Sequence, residues 1–186
     1  MRNRDKWVLY GFVGAAVLLG AMAVWRGGSQ AGGISPANER RAMPAVVVEQ
    51  LGGGEWRLAD HRGQVVLMNY WATWCGPCWE ETPGLVRLAK ELGPQGLAVV
   101  GISVDEGGRA KVRKFVEDFK VPYPVAFPAA MSQLAWGMQG VPTTVLVDRE
   151  GRVAKSYVGA VREEDFRKDV EALLREGGSA SRQVIR

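Results

Sequence analysis

Cysteine occurs twice, at Cys75 and Cys78, and histidine once, at His61. Side chains three residues apart on a helix are neighbours. Two thiols so placed can run a two-step exchange, in which one thiolate attacks a disulfide and the other resolves the mixed disulfide that results. Other uses of these sulfurs are limited by what accompanies them. Structural zinc normally takes four Cys or His ligands, and the chain offers only these three side chains. A c-type haem site needs His directly after the second cysteine, where Trp79 stands. A disulfide scaffold needs more cysteines. A structural staple across so short a loop would constrain the unfolded chain little. A non-catalytic copper chaperone is conceivable, since soft thiolates suit Cu(I), but no further Cys or clustered Met and His lies near residues 75 to 78. No metal and no cofactor is expected.

The residues around the pair say how it is held. Val65 to Trp71, VVLMNYW, is a near-continuous apolar run that suits a strand buried on both faces. Beyond the cysteines, Leu85, Leu88, Ala89 and Leu92 repeat at i, i+3, i+4 and i+7, which predicts a helix ending before Gly93-Pro94. Cys75 then lies among free N–H groups at the positive end of the helix dipole, where a thiolate is favoured. Cys75 is expected to be the exposed nucleophile and Cys78, one turn further in, the buried resolving thiol. Pro83 has no N–H for the helical ladder and is expected to kink it. Trp74 and Trp79 flank the pair as a candidate apolar docking platform, with core packing the competing use of one of them. His61, in a polar turn, is assigned no role.

The rest of the chain reads as an α/β fold. Val46–Glu49 and Trp56–Leu58 predict two short strands around a glycine-rich turn. Leu97–Val104 predicts a second buried strand, and Val112, Phe115, Val116 and Phe119 a second helix between Gly108 and Lys120. Val121-Pro122-Tyr123-Pro124 stops that helix, and a short helix is expected over Met131–Met138. Thr143–Val147 and Val153–Val158 predict a hairpin about Asp148–Gly151. A final helix carries Phe166, Val170, Leu173 and Leu174, with Glu163, Glu164 and Asp165 at its positive end and Gly177 closing it. Strands alternating with helices imply a central mixed sheet flanked by helices.

At 186 residues, with 47% hydrophobic and 24% charged, the chain holds one globular domain and something small. The net charge of +4 is concentrated in residues 1–26, where Arg2, Arg4, Lys6 and Arg26 face only Asp5. The remainder is nearly neutral, which excludes a polyanion-binding domain and so a nucleic-acid partner. Trp7 to Trp25 is free of charge over 19 residues, long enough as a helix to span about 28 Å of bilayer. The basic residues before it orient the N-terminus to the cytoplasm and the domain outside. Ala21-Met22-Ala23 offers a cleavage site if the segment is instead a signal peptide. The expected organisation is an anchor or signal peptide at 1–26, a flexible linker at 27–42, the domain at 43–176 and a disordered tail at 177–186.

The segment Asn69-Tyr-Trp-Ala-Thr-Trp-Cys75-Gly-Pro-Cys78-Trp-Glu-Glu81-Thr-Pro83 resembles the active-site segment of the thioredoxin superfamily. With Gly140-Val141-Pro142-Thr143-Thr144 downstream, it is similar to the TlpA/ResA-like membrane-anchored thiol-disulfide oxidoreductases, over residues 43–176. The resemblance implies a thioredoxin fold and a cis Val141–Pro142 peptide facing the cysteines; an ordinary turn proline is the plain alternative. It places Cys75 and Cys78 at the catalytic centre, and Trp74, Gly76, Pro77, Val141 and Pro142 where substrate binds. It implies a disulfide-containing protein substrate, such as apocytochrome c or a copper-binding assembly factor, and a transmembrane thiol electron donor of CcdA/DsbD-like type. The implied location is the bacterial cytoplasmic (inner) membrane, single-pass, with the catalytic domain on the periplasmic side.

Asn69 stands where cytoplasmic thioredoxins carry a buried Asp, and an amide cannot take a proton from Cys78. Glu81, one helical turn beyond Cys78, is the candidate to do so if burial raises its pKa; otherwise it is a solvated carboxylate favoured by the first-turn dipole. The competing enzyme is a thiol peroxidase, since Phe127-Pro128 and the strand-helix order also resemble peroxiredoxins. Tyr70 to Cys78 lacks the Pro-x-x-x-Thr-x-x-Cys arrangement that a peroxidatic cysteine needs.

Overall fold

The run Val65–Trp71 forms strand β3, and all seven of its residues are buried. It is covered on both sides because its neighbours are themselves central. Strand β4 (Leu97–Ser103) pairs with it in parallel from Val65↔Leu97 to Trp71↔Ser103, and β6 (Thr143–Val147) antiparallel from Val66↔Val147 to Tyr70↔Thr143. With β1 (Val47–Gln50), β2 (Glu55–Arg57), β5 (Val125–Pro128) and β7 (Val153–Val158), the sheet has seven strands in the order β2-β1-β5-β4-β3-β6-β7. Parallel pairing of β3, β4 and β5 beside antiparallel β1, β2, β6 and β7 makes it mixed, as expected.

The structure, a computed structural model, describes residues 33–128 and 140–183, from 177 onward by backbone alone. The expected membrane segment Trp7–Trp25, the short helix at Met131–Met138 and the last three residues of the chain lie outside the described residues. Among the described residues no helix is long and apolar enough to cross a membrane.

Alternation along β3 divides the core. Val65 and Leu67 face helices α1 (Gly76–Leu92) and α3 (Glu163–Gln183), packing with Leu85, Leu88, Phe166 and Val170. Val66, Met68 and Tyr70 face the other way, with Val100, Ile102 and Trp56. Full burial of each such side chain contributes about 1.5–3 kcal/mol. Helix α2 (Arg109–Asp118) packs Val112 and Phe115 on Trp71 and Val125. Gly84 lets α1 and α3 approach, since a Cβ there would meet Glu163 Cβ at 3.0 Å.

Three differences from the sequence reading have physical causes. Strand β5 has no counterpart in it, because the four residues Val125–Pro128, preceded by Pro124 and ending in proline, carry little strand signal. Helix α3 continues past Gly177 to Gln183; glycine costs about 1 kcal/mol in a helix and closes it only by turning left-handed. Residues 34–42, read as part of the linker, are held against the domain. Ser35 N–H donates to Ala154 O at 2.9 Å, Val153 N–H to Arg41 O at 2.8 Å, and the Arg40 guanidinium is buried against Asp148 and Glu176. Those partners lie 108 and 136 residues away, beyond any local pattern.

Candidate active site

The carboxyl ends of parallel strands leave a crevice where sites form in open α/β sheets. At that end β3 and β4 finish, β6 begins and α1 starts. Cys75 is the N-cap residue of α1, in extended conformation (φ −91°, ψ 102°), and Pro77 occupies the first turn, where its missing N–H is not needed. Cys78 N–H donates to Cys75 Sγ at 3.2 Å. The two cysteines form a disulfide, so this is the oxidised form of the pair. Helix α1 runs unbroken through Pro83, and Thr82 Oγ1 donates to Cys78 O at 2.7 Å in the turn before it.

Cys78 is buried as expected, but so is Cys75, at 5% exposure against 2%. The expectation of an exposed Cys75 fails in this state because its sulfur is bonded to Cys78 and packs with Trp71, Ala72 and Val141. What faces solvent is the rim: Gly76 and Pro77 are exposed, and Trp74 is 69% exposed. Trp79 serves differently. It is half exposed, its ring meets Phe115 and Phe119 edge-on at 5.3 and 5.5 Å, and its Nε1–H donates to Thr73 O at 2.9 Å. Of the two tryptophans flanking the pair, Trp74 is the more exposed, and Trp79 packs one side of its ring on the domain while staying partly in solvent.

The Val141–Pro142 peptide is cis. Pro142 O accepts from Gly159 N–H at 2.8 Å, tying the loop before β6 to the end of β7. Val141 packs against the cluster that contains both cysteines. The structure thus brings residues 74–78 and 141–142 to one end of the sheet. His61 lies elsewhere, stacked on Trp56 with ring centroids 4.8 Å apart, and takes no part.

Behind the disulfide, Glu81 is 6% exposed. Its carboxylate accepts from Asn69 Nδ2 at 2.7 Å and from the Val161 N–H at 2.9 Å. Asn69 Nδ2 also donates to Thr144 Oγ1 at 2.9 Å, linking β3 to β6 across the site. These partners are neutral, so hydrogen bonding lowers the carboxyl pKa less than desolvation raises it, and Glu81 is pushed up to about 7. The nearby hydroxyl of Tyr123 is pushed well above its usual range by its own burial and then by the charge of Glu81. Glu81 was legible from its spacing to Cys78. Thr144 carried no role in the sequence reading, Tyr123 only marked a helix stop, and the Val161 amide has no side-chain signature at all.

The comparisons agree with this geometry. A family model described as Redoxin matches residues 37–174. The thiol-disulfide oxidoreductase ResA of Geobacillus thermodenitrificans is 35% identical over 131 residues, 70% of this chain and 75% of that protein. Its namesake in Bacillus subtilis is 32% identical over 127 residues, 68% of this chain and 70% of that protein. Among solved structures, a secreted thiol-disulfide isomerase from Corynebacterium glutamicum superposes with a TM-score of 0.70 at 28% identity, covering 79% of this chain and 95% of that one. A thiol:disulfide interchange protein from Chlorobium tepidum gives 0.67 at 27%, covering 75% and 99%.

Proposed function

The chain belongs to the Redoxin family, as a ResA-like thiol-disulfide oxidoreductase of the thioredoxin superfamily, and on that footing we propose that it reduces protein disulfides outside the bacterial cytoplasmic membrane. The observation that carries the mechanism is the Cys75–Cys78 pair across the first turn of α1, with a buried, protonatable carboxyl one turn behind it.

In the reduced form the helix N-terminus favours the Cys75 thiolate. That thiolate attacks a substrate disulfide, a Cys75–substrate mixed disulfide forms, and one substrate sulfur leaves and takes a proton. Cys78 then gives its proton to Glu81 and attacks Cys75 Sγ. The Cys75–Cys78 disulfide closes and the second substrate sulfur leaves as a thiol once protonated. Two electrons pass from the dithiol to the substrate, and a second dithiol must return them by the reverse steps. Trp74, Gly76, Pro77, Val141 and Pro142 form the face the substrate meets.

The extracytoplasmic setting is supported by the uncharged segment Trp7–Trp25 behind Arg2, Arg4 and Lys6. We assign residues 1–26 to an uncleaved anchor. The substrates that the family resemblance favours are apocytochrome c and copper-site assembly factors, with a CcdA/DsbD-like membrane thiol protein as donor. Gly76-Pro77 matches the dipeptide of thioredoxin, and a midpoint potential near its about −270 mV rather than near the about −120 mV of DsbA is expected.

The reaction is tested with reduced protein and a disulfide-bonded peptide. Wild type should deliver two free peptide thiols, Cys78→Ser should stop at the mixed disulfide, and Cys75→Ser should do neither. Trapping on Cys78 in Cys75→Ser instead would reverse the two roles. Retention of the full-length protein in carbonate-washed membranes supports the anchor, and release of a shortened soluble form contradicts it.

A further inference from the structure

Ahead of Cys75 the chain makes a tight turn: the Cys75 N–H donates to Ala72 O at 3.2 Å, with Thr73 and Trp74 as the central residues. Thr73 is held from two directions. Asp105, just beyond the end of β4, accepts the Thr73 N–H on Oδ2 at 2.9 Å and the Thr73 hydroxyl on Oδ1 at 2.5 Å. The Thr73 carbonyl accepts the Trp79 indole N–H from α1. The carboxylate is itself steadied by the fully buried Ser103, whose hydroxyl donates to Oδ2 at 2.8 Å and accepts the Asp105 N–H at 3.2 Å. Every polar group of Thr73, backbone and side chain, therefore has a partner outside the turn.

We infer that Asp105 is a positioning residue for the exchange reaction: through Thr73 it fixes the turn that presents Trp74 to solvent and holds Cys75 at the helix N-terminus. The need is greatest in the reduced form. In the oxidised form the disulfide itself ties residue 75 to residue 78; once it opens, the turn keeps Cys75 at the N-cap only through its own hydrogen bonds and the brace on Thr73. A turn that peels away from β4 would withdraw Cys75 from the helix N–H groups, lowering its thiolate population and spoiling its line of attack. The inference rests on Cys75 being the attacking thiol, and trapping of the mixed disulfide in Cys78→Ser but not in Cys75→Ser, measured alongside, separates failure of that reading from failure of this one.

The full-length protein is compared with Asp105→Ala, Asp105→Asn, Thr73→Val and Thr73→Ser. The readouts are kcat/KM on a disulfide peptide, the redox equilibrium with glutathione, and the melting temperature of the oxidised form. Asn keeps both bonds to Thr73, accepting the N–H through its oxygen and donating to the hydroxyl, but carries no charge. Asp105→Ala should lower kcat/KM about tenfold, since small misplacements of a reacting group act on this scale, and should shift the glutathione equilibrium severalfold toward the disulfide. Asp105→Asn should stay within about twofold of wild type on both readouts. Thr73→Val should change both in the same direction by less, with Thr73→Ser restoring them, which keeps the test decisive if Asp105→Ala does not fold. Wild-type values in Thr73→Val, or a lowered melting temperature in Asp105→Ala with kcat/KM and equilibrium unchanged, would overturn the inference. So would Asp105→Asn behaving like Asp105→Ala, which would assign the effect to charge instead of position.

Discussion

Two buried carboxylates at opposite ends of the sheet have been given opposite surroundings. Asp148, 3% exposed in the turn between β6 and β7, faces two guanidinium groups, Arg40 at 3.2 Å and Arg152 at 2.8 Å, and accepts the N–H groups of Glu150 and Arg152. Glu81, 6% exposed at the catalytic end, has among the described residues only an amide and a backbone N–H. The first is neutralised by fixed cations, and its work is to clamp the segment before β1 and the end of α3 to the sheet. The second has no cation beside it among the described residues, so burial decides its proton affinity and pushes its pKa up to about 7. Burial alone does not say whether a carboxylate is structural or chemical; the charge of its partners does.

Removing a cation at the Asp148 end should have the largest effect, and on stability alone. Arg40→Ala leaves Asp148 and Glu176 short of a partner, and breaking a buried pair in this way should lower unfolding free energy by about 3 kcal/mol, with kcat/KM of the folded fraction within about twofold of wild type. A tenfold loss of kcat/KM would show that the two ends are not independent.

At the catalytic end, Glu81→Gln should slow disulfide reduction about tenfold at neutral pH, a modest share of what a general base can contribute, because a thiol near its own pKa needs less help. Its stability signature is more specific. A carboxyl raised from 4.5 to about 7 on folding binds more protons in the native than in the unfolded state across that interval. Wild-type stability should therefore fall as pH rises from about 4.5 to about 7, by roughly 3 kcal/mol. Urea denaturation of the oxidised protein at several pH values should show this slope in wild type and not in Glu81→Gln; parallel curves would place Glu81 among ordinary carboxylates.

A smaller effect is expected at Asn69, whose hydrogen bond lowers the Glu81 pKa against burial. Asn69→Ala should move the rate profile to higher pH, and a shift to lower pH would contradict the arrangement described. Glu80, exposed on the position of α1 just before Glu81, supplies the near-zero control: Glu80→Gln should leave rate unchanged and stability within about 0.5 kcal/mol.

How much of this was legible in sequence depended on distance along the chain. Strand β3 was plain because burial on both faces leaves a continuous apolar run. Cys75 and Cys78 were plain because one helical turn sets their spacing, and the same spacing marked Glu81 as a candidate beside the plainer reading of a solvated carboxylate. Their surroundings were not. Glu81 takes a hydrogen bond from the Val161 amide 80 residues away, and Asp105 reaches Thr73 across 32; neither pairing leaves a periodic trace. The same holds for Arg40, which sits in a glycine- and serine-rich segment that reads as linker and whose partners lie 108 and 136 residues away. Cys75 failed in exposure rather than identity, since sequence does not state the oxidation state in which the sulfur is met.

Among the described residues Glu81 stands free of fixed positive partners, the arrangement that the proposed movement of its proton at neutral pH requires. An NMR titration of the isotope-labelled Glu81 carboxyl in the oxidised protein reads this directly. The expected midpoint is near 7, well above the ordinary 4.5, and it should rise further in Asn69→Ala. A midpoint at or below the ordinary carboxylate value would contradict it and leave the Cys78 proton to depart by water.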